Sequence, residues 1–161
     1  MTNLQIRPGT SADADTIAML VRDLADYEKL LPEAKGTAAD FRRELDAPNP
    51  VICVLIAELN GEPAGFALYF FNFSTFVARQ GLYLEDLFVR PAHRAHGIGR
   101  ALLRELARIA QARNCGRMEW AVLDWNEPAL GFYQTLGARQ MKEWIVHRLT
   151  STEIAKLAAE Q

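Results

Sequence analysis

Cysteine is scarce in this 161-residue chain: Cys53 sits in an apolar run and Cys115 beside Gly116. Two such residues form neither a disulfide framework nor a zinc site, so a reducing cytoplasm is the expected compartment. Basic excess is also missing. Eighteen Lys and Arg against 20 Asp and Glu leave a net charge of -2, which offers no concentrated basic face for nucleic acid. No run of about 18 apolar residues occurs, so a membrane span is not expected. The start, Met1 to Pro8, lacks the basic-then-apolar pattern of a secretory leader. Three histidines, His93, His96 and His147, show no metal-ligand spacing, and no metal is expected. What is present is ordinary globular make-up, half hydrophobic and 24% charged, without repeat or linker. That fits a single domain over residues 1–161.

Leu4 to Arg7 reads as a short strand stopped by Pro8-Gly9. Thr10 to Asp13 supplies N-cap candidates for a helix whose Ile17, Leu20, Val21 and Leu24 share one face. Pro32 marks the end of that stretch. Thr37 caps a second short helix through Leu45. Val51 to Leu59 and Glu62 to Phe73 are strands joined by Asn60-Gly61, a hairpin signature, and Gly81 to Val89 adds a third. Strand–helix alternation then begins: a helix from Ile98 to Ala112, a strand from Arg117 to Leu123, and a helix from Pro128 to Leu136 closed by Gly137. Trp144 to Leu149 reads as a last strand, and Ser151 as the cap of a tail helix. The expected fold is α/β, or α+β, with a mixed central sheet: an antiparallel meander first and a βαβ half after it.

The chemistry concentrates between Leu87 and Arg100. A strand end, a basic loop and two glycines, Gly97 and Gly99, lead into a long helix. Glycines let backbone N–H groups approach a bulky anion, and the helix start adds unpaired donors and a positive dipole end. The dinucleotide pattern G-x-G-x-x-G fails at Leu102, and the P-loop fails at Arg100-Ala101. Arg94, Gly97 and Gly99 do fit R/Q-x-x-G-x-G/A. The setting is strand, Val89-Arg90-Pro91, loop, helix and strand, then Asn126 with Pro128 and Phe132-Tyr133 before Leu136-Gly137-Ala138. It resembles the pyrophosphate loop of GNAT acetyltransferases. Leu24 to Glu28, Leu84 to Val89, Glu119 to Asn126 and Phe132-Tyr133 further resemble the spermidine/spermine (diamine) and thialysine acetyltransferase group. Ala95 departs from it, standing where relatives usually have glycine.

The resemblance implies a GNAT fold whose central strands splay apart to admit acetyl-CoA, with no metal. It implies that Leu87, Phe88 and Val89 pair with the pantetheine arm. Ala95, His96, Gly97, Ile98, Gly99 and Arg100 would hold the pyrophosphate, with charge from Arg94, and Asn126, Glu127, Pro128 and Ala129 would border the arm. Tyr133 matches the proton donor to the departing thiolate. Tyr27, Glu28, Glu85, Glu119, Trp120, Ala121 and Glu143 match the amine pocket. A homodimer, a small-molecule amine partner and cytoplasmic location complete the expectation.

The residues suit that chemistry. A primary amine with a pKa of about 10.4 must lose a proton before it attacks a thioester, at a cost of roughly 4–5 kcal/mol at neutral pH. Glu85 is the candidate acceptor of that proton, directly or through water, with Asp86 as its neighbour. Strand alternation sends the two to opposite faces, so only one is expected to line a given cleft. The Val89 N–H could donate to the developing oxyanion. Carboxylates and aromatics suit a cationic acceptor: a diamine, a polyamine or a lysine-like amino acid. On its helix alone Tyr133 would read as core, beside Leu130, Phe132 and Leu136. A non-catalytic acyl-CoA sensor would keep Arg94 to Gly99 while needing neither Tyr133 nor Glu85, and a protein acetyltransferase would need an open groove near Tyr27.

Overall fold

Five strands form one mixed sheet in the computed structural model, which describes residues 3–160. β1 (Leu4–Pro8), β2 (Cys53–Leu59), β3 (Glu62–Ser74) and β4 (Arg79–Val89) make an antiparallel meander, and β5 (Arg117–Trp120) joins β4 in parallel. The hairpin between β2 and β3 turns at Asn60 and Gly61, both at positive φ (54° and 85°), as a tight two-residue turn requires. The chain divides into two compact units, Met1–Ala121 and Val122–Gln161.

In the first unit, alternation along the strands sorts the core into two faces. Val54, Ile56, Phe66, Leu68 and Phe88 pack with Ile17, Leu20 and Leu24 of α1 (Ala14–Tyr27). α2 (Ala38–Leu45) starts at Thr37, whose hydroxyl accepts from the Asp40 N–H while Asp40 bonds back to the Thr37 N–H. This capping box satisfies two helix-end donors at once. The opposite sheet face is covered by α3 (Ile98–Ala112), whose Ile98, Leu102 and Leu106 are buried. Arg113, just past α3, stacks on Phe71, its guanidinium carbon 4.1 Å from the ring centroid. Burial pushes the Tyr69 hydroxyl up to about 12 on that same face. Arg7 ties the first turn to the sheet by ion pairs with Asp13 and Glu58, each 2.8 Å, and the guanidinium draws Asp13 down to about 2.

The second unit contains α4 (Glu127–Thr135) and α5 (Ser151–Ala158). Asn126 caps α4, accepting from the Ala129 N–H at 3.3 Å, and Gly137 follows it at φ 80°. Two expectations fail here. Trp144 to Leu149 forms no strand: without a ladder, its β-branched and aromatic residues are left irregular and exposed, Ile145 at 78% and Val146 at 81%. Thr150, not Ser151, caps the tail helix, through a box with Glu153. β5 also ends three residues earlier than its apolar run suggested, at Trp120.

Candidate active site

The C-terminal half of β4 differs from its N-terminal half. Pairing with β5 runs from Gly81–Arg117 to Leu84–Trp120 and stops, while β4 continues to Val89. Among the described residues, the β5-side edge of Glu85 to Val89 therefore has no strand partner. Its peptide groups can bond to an extended ligand instead.

The break coincides with a change of register. On the other side of β4, Tyr69 pairs with Leu84 but Leu68 pairs with Asp86, so Glu85 is the extra residue of a β-bulge. A bulge interrupts alternation. The expectation that Glu85 and Asp86 point to opposite faces loses its basis there, because the register fixes the faces of Leu84 and Asp86 alone. Leu84 stays on the α3 face beside Tyr69, whereas Asp86 joins Leu68 and Phe88 on the α1 face. Asp86 ends the apolar cross-strand row Val54–Leu68. Burial there pushes its carboxyl up to about 6, and the Glu85 and Glu28 carboxylates push the same way.

Further carboxylates crowd this face. Glu28 closes α1 at the negative end of the helix, and partial burial raises its pKa. Glu119 pairs across from Tyr83, whose hydroxyl is raised by burial and by the charges of Glu85 and Glu119. Tyr83 stacks on Phe70 with centroids 5.1 Å apart. Sequence reasoning passed over Tyr83, although its position two residues before Glu85 on a strand was the available signal. Trp120, by contrast, pairs with Leu84 and so lies on the other face from Glu119. Ala121 follows the end of β5 and is exposed.

Beyond Val89 the chain turns through Pro91–His93 into Gly97, the N-cap of α3. Gly97 sits at φ 72° and Ala95 at φ 65°, the left-handed region that glycine enters without strain. The first intrahelical bond runs from the Ala101 N–H to the Gly97 carbonyl. The N–H groups of Ile98, Gly99 and Arg100 precede any helical acceptor and are directed out of the helix start. His96 has an unforeseen part in this. Its Nδ1 lies 2.9 Å from the Arg94 carbonyl and 3.2 Å from the His93 carbonyl. Both are acceptors, so Nδ1 carries the hydrogen and the ring holds those oxygens on one side. A run of amides with no helical acceptor, behind two left-handed residues, suits a diphosphate.

A match to the acetyltransferase (GNAT) family model covers residues 18–138. A thialysine N-epsilon-acetyltransferase of Sus scrofa is 35% identical over 171 residues, spanning 99% of this chain and 100% of its own. An L-ornithine N5-acetyltransferase of Arabidopsis thaliana is 47% identical over 87 residues, 54% of this chain and 38% of its own. Among solved structures, an integron cassette protein from V. cholerae superposes with a TM-score of 0.82 at 26% identity, covering 98% of both chains. The chain belongs to the GNAT acetyltransferase family. It is an N-acetyltransferase, and GNAT acetyltransferases use acetyl-CoA as donor.

As a GNAT enzyme its remaining candidates sit in the second unit. Asn126 is 8% exposed and its side chain caps α4. Glu127, Pro128 and Ala129 form the first turn of α4, and Tyr133, half-buried, lies one helical turn beyond Ala129 with its ring 5.5 Å from that of Phe132. Glu143 is on the exposed stretch before Trp144. Among the described residues, no three His, Cys, Asp or Glu side chains gather as a metal site, and no helix is long and apolar enough to cross a membrane.

Proposed function

We propose that the acceptor is the primary amine of a small cationic metabolite, a diamine, polyamine or lysine-like amino acid, and that the donor is acetyl-CoA. The observation that carries this reading is the bulge at Glu85. It sets Glu85 and Asp86 on β4 where the strand edge opens, with Asp86 close enough to Glu28 and Glu85 to feel both charges. Such a face attracts an ammonium group, and a carboxylate within reach can take its proton, directly or through a water. Glu85 is assigned that role. The freed amine forms its C–N bond at the acetyl carbon, the C–S bond breaks, the thiolate takes a proton from Tyr133, and the second proton leaving the nitrogen returns to the tyrosine through solvent. The role of Tyr133 is supported by its place in the Asn126 to Ala138 motif. Leu87 to Val89, Arg94 to Arg100 and Asn126 to Ala129 are assigned to the cofactor. Glu28, Glu119, Ala121 and Glu143 are assigned to the acceptor; the resemblance adds Tyr27 and Trp120, although Trp120 lies on the other sheet face from Glu119 and the Tyr27 ring meets Arg94.

A single GNAT domain over residues 1–161 is supported by a family match that crosses the boundary between the two units. A homodimer in the cytoplasm is part of the same reading. The exposed Trp144, Ile145, Val146 and Leu149 are the apolar surface that supports self-association, and light scattering at micromolar concentration tests it. The deciding experiment is thiol release from acetyl-CoA across a panel of diamines, polyamines, thialysine, ornithine and lysine, with products weighed by mass spectrometry. Turnover with one or more of these is expected. Binding of CoA without turnover on any amine would refute the acceptor.

A further inference from the structure

Tyr27 resembles an amine-pocket residue, yet its ring meets the cofactor loop. The Arg94 guanidinium carbon lies 4.5 Å from the centre of the Tyr27 ring. The same side chain donates from Nε to the Val89 carbonyl at 3.1 Å. One turn earlier on α1, Asp23 takes Arg90 in an ion pair of 3.1 Å. Asp23 and Tyr27 are four apart on a helix, hence on one face, and they meet two arginines four apart at the start of the loop. A cleft of about 530 Å³ lies between, lined by Tyr27, Phe88, Arg90 and His93 among others. Behind it Tyr27 rests on Phe88, centroids 6.3 Å apart. The end of α1 thus braces the loop at two points.

We propose that Tyr27 is a positioning residue for acetyl-CoA, acting through Arg94. A guanidinium carries five N–H donors in a plane. Stacking on a ring uses its face, and the Val89 carbonyl uses only Nε. The terminal nitrogens stay available for phosphate oxygens, while the flexible stem of Arg94 is fixed before the ligand arrives. Arginine otherwise loses much rotamer freedom on binding, so fixing it beforehand strengthens binding. Glutamine, which satisfies the same loop pattern, has no charge to stack on the ring. Tyr27 therefore matters only when arginine occupies that position. The inference rests on the acetyltransferase reading and adds a residue to its cofactor side.

The test is a double-mutant cycle read by calorimetric CoA affinity. Tyr27→Leu should weaken CoA about three- to ten-fold, and Tyr27→Phe, which keeps the ring, should restore most of it. In an Arg94→Gln background Tyr27→Leu should change CoA affinity by less than about two-fold. A general structural role for Tyr27 would weaken binding equally in both backgrounds, which overturns the proposal. Unchanged CoA affinity in Tyr27→Leu with a raised KM for the amine also overturns it, while leaving the acetyltransferase reading intact. If wild-type protein binds no CoA, that reading and this inference fall together.

Discussion

The basic loop and the acidic face lie at the two ends of the same five residues of β4, and they work by different means. The loop from Val89 to Arg100 presents main chain: amides at a helix start, aligned by two left-handed residues and a histidine that ties back carbonyls. The acidic face presents side chains: the pKa of Asp86 is raised by burial and by the charges of Glu85 and Glu28, and that of Tyr83 by burial and by Glu85 and Glu119. Main-chain sites tolerate side-chain change and fail when the backbone is forced. Side-chain sites do the reverse. The two halves should therefore answer to different substitutions.

The largest effect is expected on the acidic side. Glu85→Gln removes the assigned proton acceptor and keeps the shape of the bulge, so kcat should fall about 100-fold. CoA affinity should stay within two-fold. Steady-state kinetics with calorimetry separates the two quantities. Equal losses in both would mean that the acidic face and the loop are not independent.

Next comes the strain that Asp86 places on the fold. An unfolded aspartate releases its proton near pH 4, whereas folded Asp86 holds it to about 6. Between those values the unfolded chain binds fewer protons, so stability falls as pH rises. It is fully present below about pH 4 and lost by pH 7. Asp86→Asn removes this contribution and leaves the one from Glu28, whose pKa burial also raises. Urea unfolding at pH 4.5 and 7.5 should show wild type losing about 2 kcal/mol more than the variant across that interval. Asp13, drawn down to about 2, titrates below this window and does not blur it.

On the loop side, Gly97→Ala forces an alanine to φ 72° where the surroundings are open. The cost is conformational, not steric, at about 1–2 kcal/mol. CoA affinity should fall about ten-fold while kcat at saturation changes little. A substantial kcat loss would show that the loop also orients the reacting end.

This contrast explains what was legible in the residue string. Local signals were: the Asn60-Gly61 turn, the Thr37 box, the bounds of α3 and the glycine loop each depend on neighbours within a few positions. The bulge at Glu85 was not, because it exists only in the register between β3 and β4. Alternation applied to β4 alone placed Glu85 and Asp86 on opposite faces. Trp144 to Leu149 shows the same limit, since its strand-forming residues have no ladder to join among the described residues. His96 could have been found by asking what holds a loop of outward amides, for inward carbonyls need a donor.

Ala95 gives the smallest and most discriminating effect. It holds φ 65° without being glycine, in the left-handed region that glycine enters without strain. Ala95→Gly removes the clash of a Cβ in left-handed backbone and adds freedom to the unfolded chain, and the two oppose each other. Relief of strain is the larger, so the variant should gain about 0.5–1 kcal/mol in urea unfolding. Because the loop works through its amides, and those keep their directions, CoA affinity should be unchanged or slightly improved. A loss of affinity would show that the Ala95 methyl itself stiffens the loop. The division between main-chain and side-chain work would then fail at the residue where it was expected to be cleanest.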